Sequence, residues 1–386
     1  MKRKNGETAM ETMYFVSAET AVNEICRTAA AEGASDVHIE PGRERVRVRF
    51  RRDGALEERY ALPLPMAEKL AVRCKVMGRM NVAETRIPQD GSAVFRCGGE
   101  EYDLRLSVLP SLYGETIVIR LLSGMVPFIE RNELGMLPVQ EALFRKSLSG
   151  RSGMILTTGP TGSGKTSTLY AAMKLLNTPE VNIISIEDPV EYRLAGVTQV
   201  AVNEKAGLTF ASGLRSLVRQ DPDIIMVGEI RDRETAEIAV HAALTGHLVL
   251  SSLHTGNAVQ APFRLMDMGI PAYLAAASLS LVISQRLVRR LCPSCRVKKD
   301  GYFTAPGCAD CGGTGRIGRT GVFELLGIGA EERALIHDMR PAAELLRRMK
   351  ETGQPTLAEA AEKASGEGRI TEEDAAWVAG EAEEEL

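Results

Sequence analysis

The chain has 386 residues, with 47 Lys and Arg against 51 Asp and Glu, for a formal net charge of −4. Hydrophobic residues make up 44% and charged residues 25%, the composition of an ordinary globular protein of two or three domains. That excludes a collagenous chain, wholesale disorder and a small disulfide scaffold, and the near-balance of charge offers no global attraction to nucleic acid.

The basic Lys2, Arg3 and Lys4 are followed by polar residues rather than an apolar core, so no secretory signal is expected. Residues 1–18 read as a flexible N-terminus. Thr20–Glu32 carries Val22, Ile25, Cys26 and Ala29 at helical spacing and predicts an amphipathic helix. Val37–Ile39 and Arg45–Arg51 predict strands, with a turn at Asp53-Gly54. Ala67–Met80 reads as a helix, and Ala93–Cys97, Asp103–Val108 and Thr116–Leu121 read as strands. Helices among short strands over 19–122 predict an α+β domain. Arg43, Arg45, Arg47, Arg49 and Arg51 recur at period two and so share one strand face. Only Phe50 interleaves as an aromatic, so this face reads as solvated or subunit-contacting rather than as a nucleic-acid reader.

Residues 123–133 hold Gly124, Pro127 and Arg131-Asn132 and read as a linker. Beyond it, Met154–Thr158, Asn182–Ile186, Ile224–Val227 and Leu248–Leu253 are apolar runs that alternate with helical segments. Such runs suit strands buried on both faces of a mostly parallel sheet, expected over 134–290. Met268–Gln285 is the longest uncharged stretch. It carries Pro271, Ser278, Ser280 and Ser284 and reads as a buried helix rather than a membrane span. A tetracysteine subdomain is expected over 291–325, and a helical region with an acidic tail, Glu381–Leu386, over 326–386. Thr356…Glu359 and Thr371…Asp374 have capping-box spacing at helix starts.

Gly159, Pro160, Thr161, Gly162, Ser163, Gly164, Lys165 and Thr166 form G-x-x-x-x-G-K-T between the apolar Ile155–Thr158 and the helical Ser167–Leu176. The glycines let successive backbone N–H groups converge on phosphate oxygens. Lys165 supplies charge to the β- and γ-phosphates, and the Thr166 hydroxyl can ligate Mg²⁺. A nucleotide with Mg²⁺ is therefore the expected ligand. Three more apolar strands end in polar groups, at the edge where open α/β sheets bind ligands. The first ends in Ser185-Ile-Glu187-Asp188, and strand alternation allows only one of the two acids to face the nucleotide. The second ends in Gly228-Glu229, a Walker-B-like carboxylate that can hold Mg²⁺ through water or orient the attacking water. The third runs from His247 to His254, roughly 23 Å if extended, so both histidines cannot touch one phosphate. His254, at the C-terminal end, is the candidate γ-phosphate sensor, and His247 reads as structural.

Gly159–Thr166, Ile186–Tyr192, Leu214–Asp232 and Thr245–Thr255 together resemble the Walker A, Asp, Walker B and His boxes of the type II secretion/type IV pilus assembly ATPases. Ala34–Pro41, Arg86–Gly91 and Asp103–Ser107 resemble the domain that precedes the motor core in that family. The resemblance runs from about Ala21 to Leu326. It implies an α/β fold: a RecA-like P-loop NTPase core behind a smaller α+β domain. It further implies a hexameric ring at the cytoplasmic face of the inner membrane. ATP hydrolysis there would move an inner-membrane platform protein and drive pilin-like subunits out of the membrane. Water would be activated by Glu187 or Glu229, with Glu229 preferred for Mg²⁺ and water positioning and Glu187 as the base. Arg105 and Arg120 match arginines that the preceding domain places near a nucleotide phosphate, and Arg215 and Arg219 match positions at or near a subunit boundary. A guanidinium there meets the charge that develops on the γ-phosphate. Ser185 and Ser252 stand where threonine is usual and keep the hydroxyl. Many full-length members carry a further N-terminal docking domain, and this chain is expected to be a short form without it, associated with the membrane through partners.

Cys292-Pro-Ser-Cys295 and Cys308-Ala-Asp-Cys311 offer four thiolates from two tight turns, a set suited to tetrahedral structural zinc. The resemblance agrees, because assembly-type members often carry this insertion after Gln285-Arg-Leu. Cys26, Cys74 and Cys97 are unclustered and read as core packing. A cytoplasmic chain keeps its thiols reduced unless a metal holds them. His38, His241, His337 and Trp377 receive no chemical role. No direct nucleic-acid contact is expected. The competing readings are a nucleic-acid-stimulated RecA-like translocation ATPase and a regulatory protein that binds nucleotide without turnover. The intact Lys165, Glu187 and Glu229 speak against the latter.

Overall fold

The computed structural model describes residues 17–123 and 134–384. Residues 1–16 of the expected flexible N-terminus, 124–133 of the linker and 385–386 of the acidic tail lie outside the described residues. The chain divides into two units, Met1–Val126 and Pro127–Leu386.

In the first unit, α1 (Ala18–Ala31) starts where the Ser17 side chain accepts the Thr20 N–H, a standard N-cap. It buries Ala21, Val22, Ile25, Cys26 and Ala29, the face that the spacing predicts. The strands are β1 (Asp36–Pro41), β2 (Arg45–Arg52), β3 (Ala55–Pro63), β4 (Gln89–Cys97), β5 (Glu100–Ser111) and β6 (Gly114–Ser123), with α2 (Met66–Met77) between β3 and β4. They form one antiparallel sheet in the order β3-β2-β1-β6-β5-β4. Asp53 and Gly54 join β2 to β3 with φ of +48° and +86°. This left-handed pair makes the tight hairpin whose twist matches its strands. The sequence pattern does not single out β3, because its first half, Leu56-Glu57-Glu58-Arg59, lacks alternation. Val37, Ile39, Val46, Val48, Phe50, Leu104, Leu106 and Ile119 face the helices and form the core with α1 and α2. Cys26 and Cys74 are buried in that core, whereas Cys97, at the end of β4, is partly exposed.

The arginine stripe of β2 meets carboxylates one strand away. Arg47 and Arg49 reach Glu40 on β1 at 3.0 and 2.6 Å, Arg45 reaches Glu58 on β3 at 3.2 Å, and Arg51 stands 3.9 Å from Asp36. Cross-strand pairing of opposite charges accounts for the period-two pattern without an anionic ligand.

In the second unit the sheet order is β15-β12-β7-β11-β10-β8-β9. These are β7 (Gly153–Thr158), β8 (Ile183–Glu187), β9 (Thr198–Ala201), β10 (Ile224–Val227), β11 (Leu248–Ser252), β12 (Leu279–Leu291) and β15 (Arg316–Gly327). All neighbours are parallel except the β12–β15 pair. Strands β8, β10 and β11 are buried along their whole length, which explains their unbroken apolar runs. The helices are α3 (Pro138–Leu148), α4 (Lys165–Leu176), α5 (Phe210–Leu217), α6 (Arg233–Leu244), α7 (Ala261–Asp267), α8 (Ala272–Ser278), α9 (Ala330–His337), α10 (Ala342–Glu351), α11 (Leu357–Gly366) and α12 (Glu372–Glu384). The Thr356 and Glu359 capping box opens α11, and Thr371 and Asp374 exchange the equivalent bonds before α12.

One expectation is corrected. Met268–Gln285 is not a single helix: α8 ends at Ser278, Leu279 is already extended, and the chain continues as β12. The run Leu281-Val-Ile-Ser284 lies in a strand buried on both faces, where periodicity cannot separate helix from strand. The connection between β12 and β15 carries the four clustered cysteines and a hairpin, β13 (Val297–Lys299) and β14 (Tyr302–Thr304). Among the described residues no helix is long and apolar enough to cross a membrane.

A buried charge marks the first unit. Lys75 on α2 is fully buried. Its Nζ donates to the Glu84 carbonyl at 2.7 Å and stands 2.6 Å from Glu115 Oε1. Removing one partner strands the other, so Lys75→Met should destabilise the unit by about 3 kcal/mol. The double variant Lys75→Met/Glu115→Leu should recover most of that loss. Denaturant titration of the full chain by circular dichroism checks both, and equal destabilisation of the single and double variants would refute the pairing.

Candidate functional site

The parallel strands deliver their C-terminal ends to one edge of the sheet. At the end of β7 the loop Gly159–Gly164 turns into α4, which begins at Lys165. Gly159, Gly162 and Gly164 have φ of +136°, +82° and +92°. A Cβ at Gly159 would stand 2.6 Å from the Gln285 carbonyl oxygen and 2.7 Å from Ser163 Oγ, so only glycine lets the loop pass β12 this closely. Gln285, 2% exposed on β12, fixes the loop from beneath. Its Nε2 donates to the Ser163 carbonyl at 2.7 Å, and its Oε1 accepts from Thr168 Oγ1 at 2.7 Å. Lys165 folds back on the loop, with Nζ 2.7 Å from Gly159 O and 3.0 Å from Pro160 O. Burial pushes its ammonium down to about 8; Glu229 opposes this and Arg286 adds to it.

Glu229 follows β10 and keeps a partly open carboxylate. It pairs with Arg231 and stands 3.7 Å from His254 Nε2. His254 follows β11. Burial and the Lys165 charge hold its imidazole below the ordinary value, against the pull of Glu229. A cleft of ≈ 560 Å³ opens here, lined by Gly159, Pro160, His254, Thr255, Gln260 and Arg264 among others. His247 lies at the opposite end of β11, with Nδ1 3.0 Å from the Ala242 carbonyl at the C-terminus of α6. The structure thus brings the phosphate-type loop, Glu229 and His254 together around Lys165.

Glu187 at the end of β8 is differently surrounded. It is 3% exposed and accepts from the Tyr170 hydroxyl, from Ser185 Oγ at 2.5 Å and from Gln199 Nε2 at 3.1 Å. Burial, with the carboxylate beside it, pushes the Tyr170 hydroxyl well above its ordinary value. The sequence-level preference for Glu187 as the base therefore meets a carboxylate with both oxygens engaged.

Arg215 on α5 pairs with Glu234 at the start of α6, and Arg219 Nη2 stands 3.4 Å from Ser216 Oγ. In the first unit, Arg105 and Arg120 are direct cross-strand partners on β5 and β6. They share the sheet face opposite the helices, and Arg120 Nε is 2.9 Å from Asp36 Oδ1.

Sequence reasoning missed Gln285, Tyr170, Gln199 and two buried ionisable groups, Arg286 and Glu324. The available signal was a polar or charged residue inside an apolar strand, Gln285-Arg286 in β12 and Glu324 in β15, and reading Met268–Gln285 as helix masked it at Gln285.

The four cysteine sulfurs lie within 4.8 Å of one another. The pairs Cys292–Cys308, Cys308–Cys311 and Cys295–Cys311 are at 3.8, 3.8 and 4.0 Å. Metal–sulfur bonds of ~2.3 Å in a tetrahedron give sulfur–sulfur edges of about 3.8 Å. The Cys308 and Gly315 N–H groups point at Cys311 Sγ from 3.1 and 3.2 Å, which favours its thiolate. The cluster is consistent with a zinc knuckle.

Comparison with known proteins gives a concordant picture. Residues 14–377 match the type II/IV secretion system protein family. The type II secretion system protein HxcR of Pseudomonas aeruginosa is 46% identical over 353 residues, which are 92% of this chain and 75% of the relative. The type IV pilus assembly ATPase PilB of Thermus thermophilus is 44% identical over 362 residues, 89% of this chain and 41% of the relative. The pilus retraction motor PilT, solved with bound ADP, aligns with a TM-score of 0.66 at 29% identity, over 92% of this chain and 96% of that one. The Legionella pneumophila ATPase DotB shares the fold, with a TM-score of 0.74 at 21% identity over 97% and 98% of the two chains.

The depressed Lys165 has a measurable consequence. A polyphosphate in the loop favours the ammonium, so binding raises this pKa above its free value of about 8. Affinity is then full below the free value and is lost as pH rises through the higher, bound value. At about pH 8.5, binding should take up protons. Titration calorimetry with a Mg-nucleotide in two buffers of different ionisation enthalpy reads that uptake, and an enthalpy independent of buffer would refute it.

Proposed function

This chain belongs to the type II/IV secretion system protein family and hydrolyses ATP as a secretion or pilus motor; from that premise we propose that it works as a hexameric ring driven by Mg-ATP. The ring powers assembly of pilin-like subunits through an inner-membrane platform protein, in type II secretion, a type IV pilus or a competence pseudopilus, and acts at the cytoplasmic face of that membrane. The observation that carries the site reading is the convergence of the glycine loop, Lys165, Glu229 and His254 at one sheet edge.

Gly159–Thr166 hold the phosphates through backbone N–H groups, and Lys165 leaves its loop carbonyls for the β- and γ-phosphates. Thr166, and Glu229 through water, would hold Mg²⁺, which would neutralise phosphate charge. Glu229 also orients the attacking water, since its carboxylate is the more open of the two acids. Glu187 supports the site from the adjacent strand end by fixing Tyr170 and Gln199, and becomes a base only if one of its donors withdraws. His254, 3.7 Å from Glu229, reads the γ-phosphate side.

Arg105 and Arg120 meet a phosphate from the preceding domain, and Arg215 and Arg219 act at a subunit boundary. The support is electrostatic. Arg105 and Arg120 are register partners on the sheet face away from the helices, where Arg120 already meets the Asp36 carboxylate, so both guanidiniums lie on one face that can meet an anion. Zinc is the metal of the four-cysteine cluster, where thiolates close every position and leave none for catalysis.

The tests separate the roles. Lys165→Ala should abolish ATPase activity in the assembled protein. Glu229→Gln should lower kcat by about a hundredfold or more while nucleotide still binds, and Glu187→Gln should cost less. Arg120→Ala should lower kcat by about a thousandfold in the ring with little effect on the isolated chain. Equal kcat for Lys165→Ala and wild type would sink the reading. ATPase rates should be indifferent to DNA at moderate salt; clear stimulation would favour a nucleic-acid translocase.

The metal has its own check. Elemental analysis should find one zinc per chain, and Cys308→Ser should lose it and lower the thermal transition. Full zinc retention by Cys308→Ser would overturn the four-thiolate assignment.

A further inference from the structure

Two buried charged side chains tie the loop that carries His254 to the C-terminal helices. The Gly256 carbonyl accepts from Ser284 Oγ at 3.1 Å and from Arg286 Nη2 at 3.1 Å, both on β12. Glu324 is the register partner of Ser284 on β15, and its Oε1 accepts the Ala258 N–H at 2.8 Å. The same two ionisable groups also reach away from the loop. Glu324 Oε2 accepts the N–H of Leu357, the first residue of α11, at 3.1 Å. Arg286 Nε stands 3.5 Å from Glu381 Oε2 on α12. Arg286 is fully buried and Glu324 is 3% exposed. Around them α11 and α12 build a small core of their own, in which Leu357, Ala361 and Val378 pack with Val288 of β12 and Val322 of β15.

Burying a carboxylate and a guanidinium is costly, and here the cost is offset by bonds to buried backbone groups that an apolar pair would leave unpaired. What the apolar pair cannot do is hold two separate chain segments in one register. Each oxygen of Glu324 is committed to a different element. A displacement of residues 255–258 toward a bound phosphate therefore breaks the Ala258 bond or moves the start of α11. The Gly256 carbonyl is bound to Arg286 in the same way, and Arg286 to α12. Packed polar contacts of this kind switch between discrete arrangements rather than stretch.

We propose that Glu324 and Arg286 are positioning residues that couple the nucleotide-side loop 255–258 to the α11–α12 pair, so that these helices sense nucleotide occupancy and, reciprocally, bias it. The proposal rests on the nucleotide reading of the site given above. By linkage, whatever α11–α12 gain from occupancy they return as altered nucleotide affinity.

The chain's single tryptophan makes the coupling visible. Trp377 lies on α12, 48% exposed. In the full chain, acrylamide quenching of Trp377 is measured with and without a non-hydrolysable ATP analogue and Mg²⁺, while binding of the analogue is followed separately by equilibrium dialysis. The wild type should show a saturable change in quenching that tracks occupancy. Glu324→Gln should lose that change with the analogue still bound, its dissociation constant shifting by about fivefold. Glu381→Gln, at the exposed edge of α12 and outside the core, should reduce the change and guards against misfolding of the first variant. Analogue bound with no response from Trp377 would overturn the coupling, as would a full response in both variants. Failure of the analogue to bind the wild type would remove the nucleotide reading, and the proposal with it.

Discussion

The functional edge depends on how closely the phosphate-type loop approaches strand β12. Gly159 runs against the Gln285 backbone with no room for a side chain, and Gln285 then holds both Ser163 and Thr168. That clamp sets the curvature of the loop and the point at which α4 begins. Lys165 is the first residue of α4, so the same clamp determines where its ammonium sits relative to Glu229. A loop of three left-handed glycines has many conformations of its own. One is selected because a buried amide offers a donor and an acceptor at fixed separation.

The site also shows why charged and polar groups occupy the interior of an apolar sheet. Glu187, Arg286 and Glu324 lie in strands whose neighbours are aliphatic, and each meets polar partners from other elements. Such networks rigidify when complete and are costly when broken. Their partners come from α4, from the loop after β11 and from α11, so the strands transmit position to elements that do not touch in sequence. In a family of mechanical ATPases, that connectivity is the physical precondition for converting phosphate chemistry into movement.

The first unit solves a different problem. Its sheet buries one face under α1 and α2 and leaves the other lined with arginines. Most of that charge on β2 is met by Glu40, Glu58 and Asp36. Arg105 and Arg120 face each other on β5 and β6, and Arg120 is met by Asp36 as well.

Much of this was legible in the residues themselves. The glycine-lysine-threonine loop, the strand-end carboxylates, His254, the helical face of α1 and the four-cysteine spacing follow from local rules: turn geometry, strand period, helix spacing and ligand chemistry act over a few residues. The α8-to-β12 junction did not, because an apolar run buried on both faces looks the same as helix or strand. Nor did the roles of Gln285, Tyr170, Arg286 and Glu324. Their partners lie up to 122 residues away in the chain, so only the paired sheet decides what each one touches. The same holds for the two acids. Sequence placed Glu187 and Glu229 at equivalent strand ends. Tertiary packing closed one beneath Tyr170 of α4 and Gln199 of β9 and left the other partly exposed in the turn that follows β10.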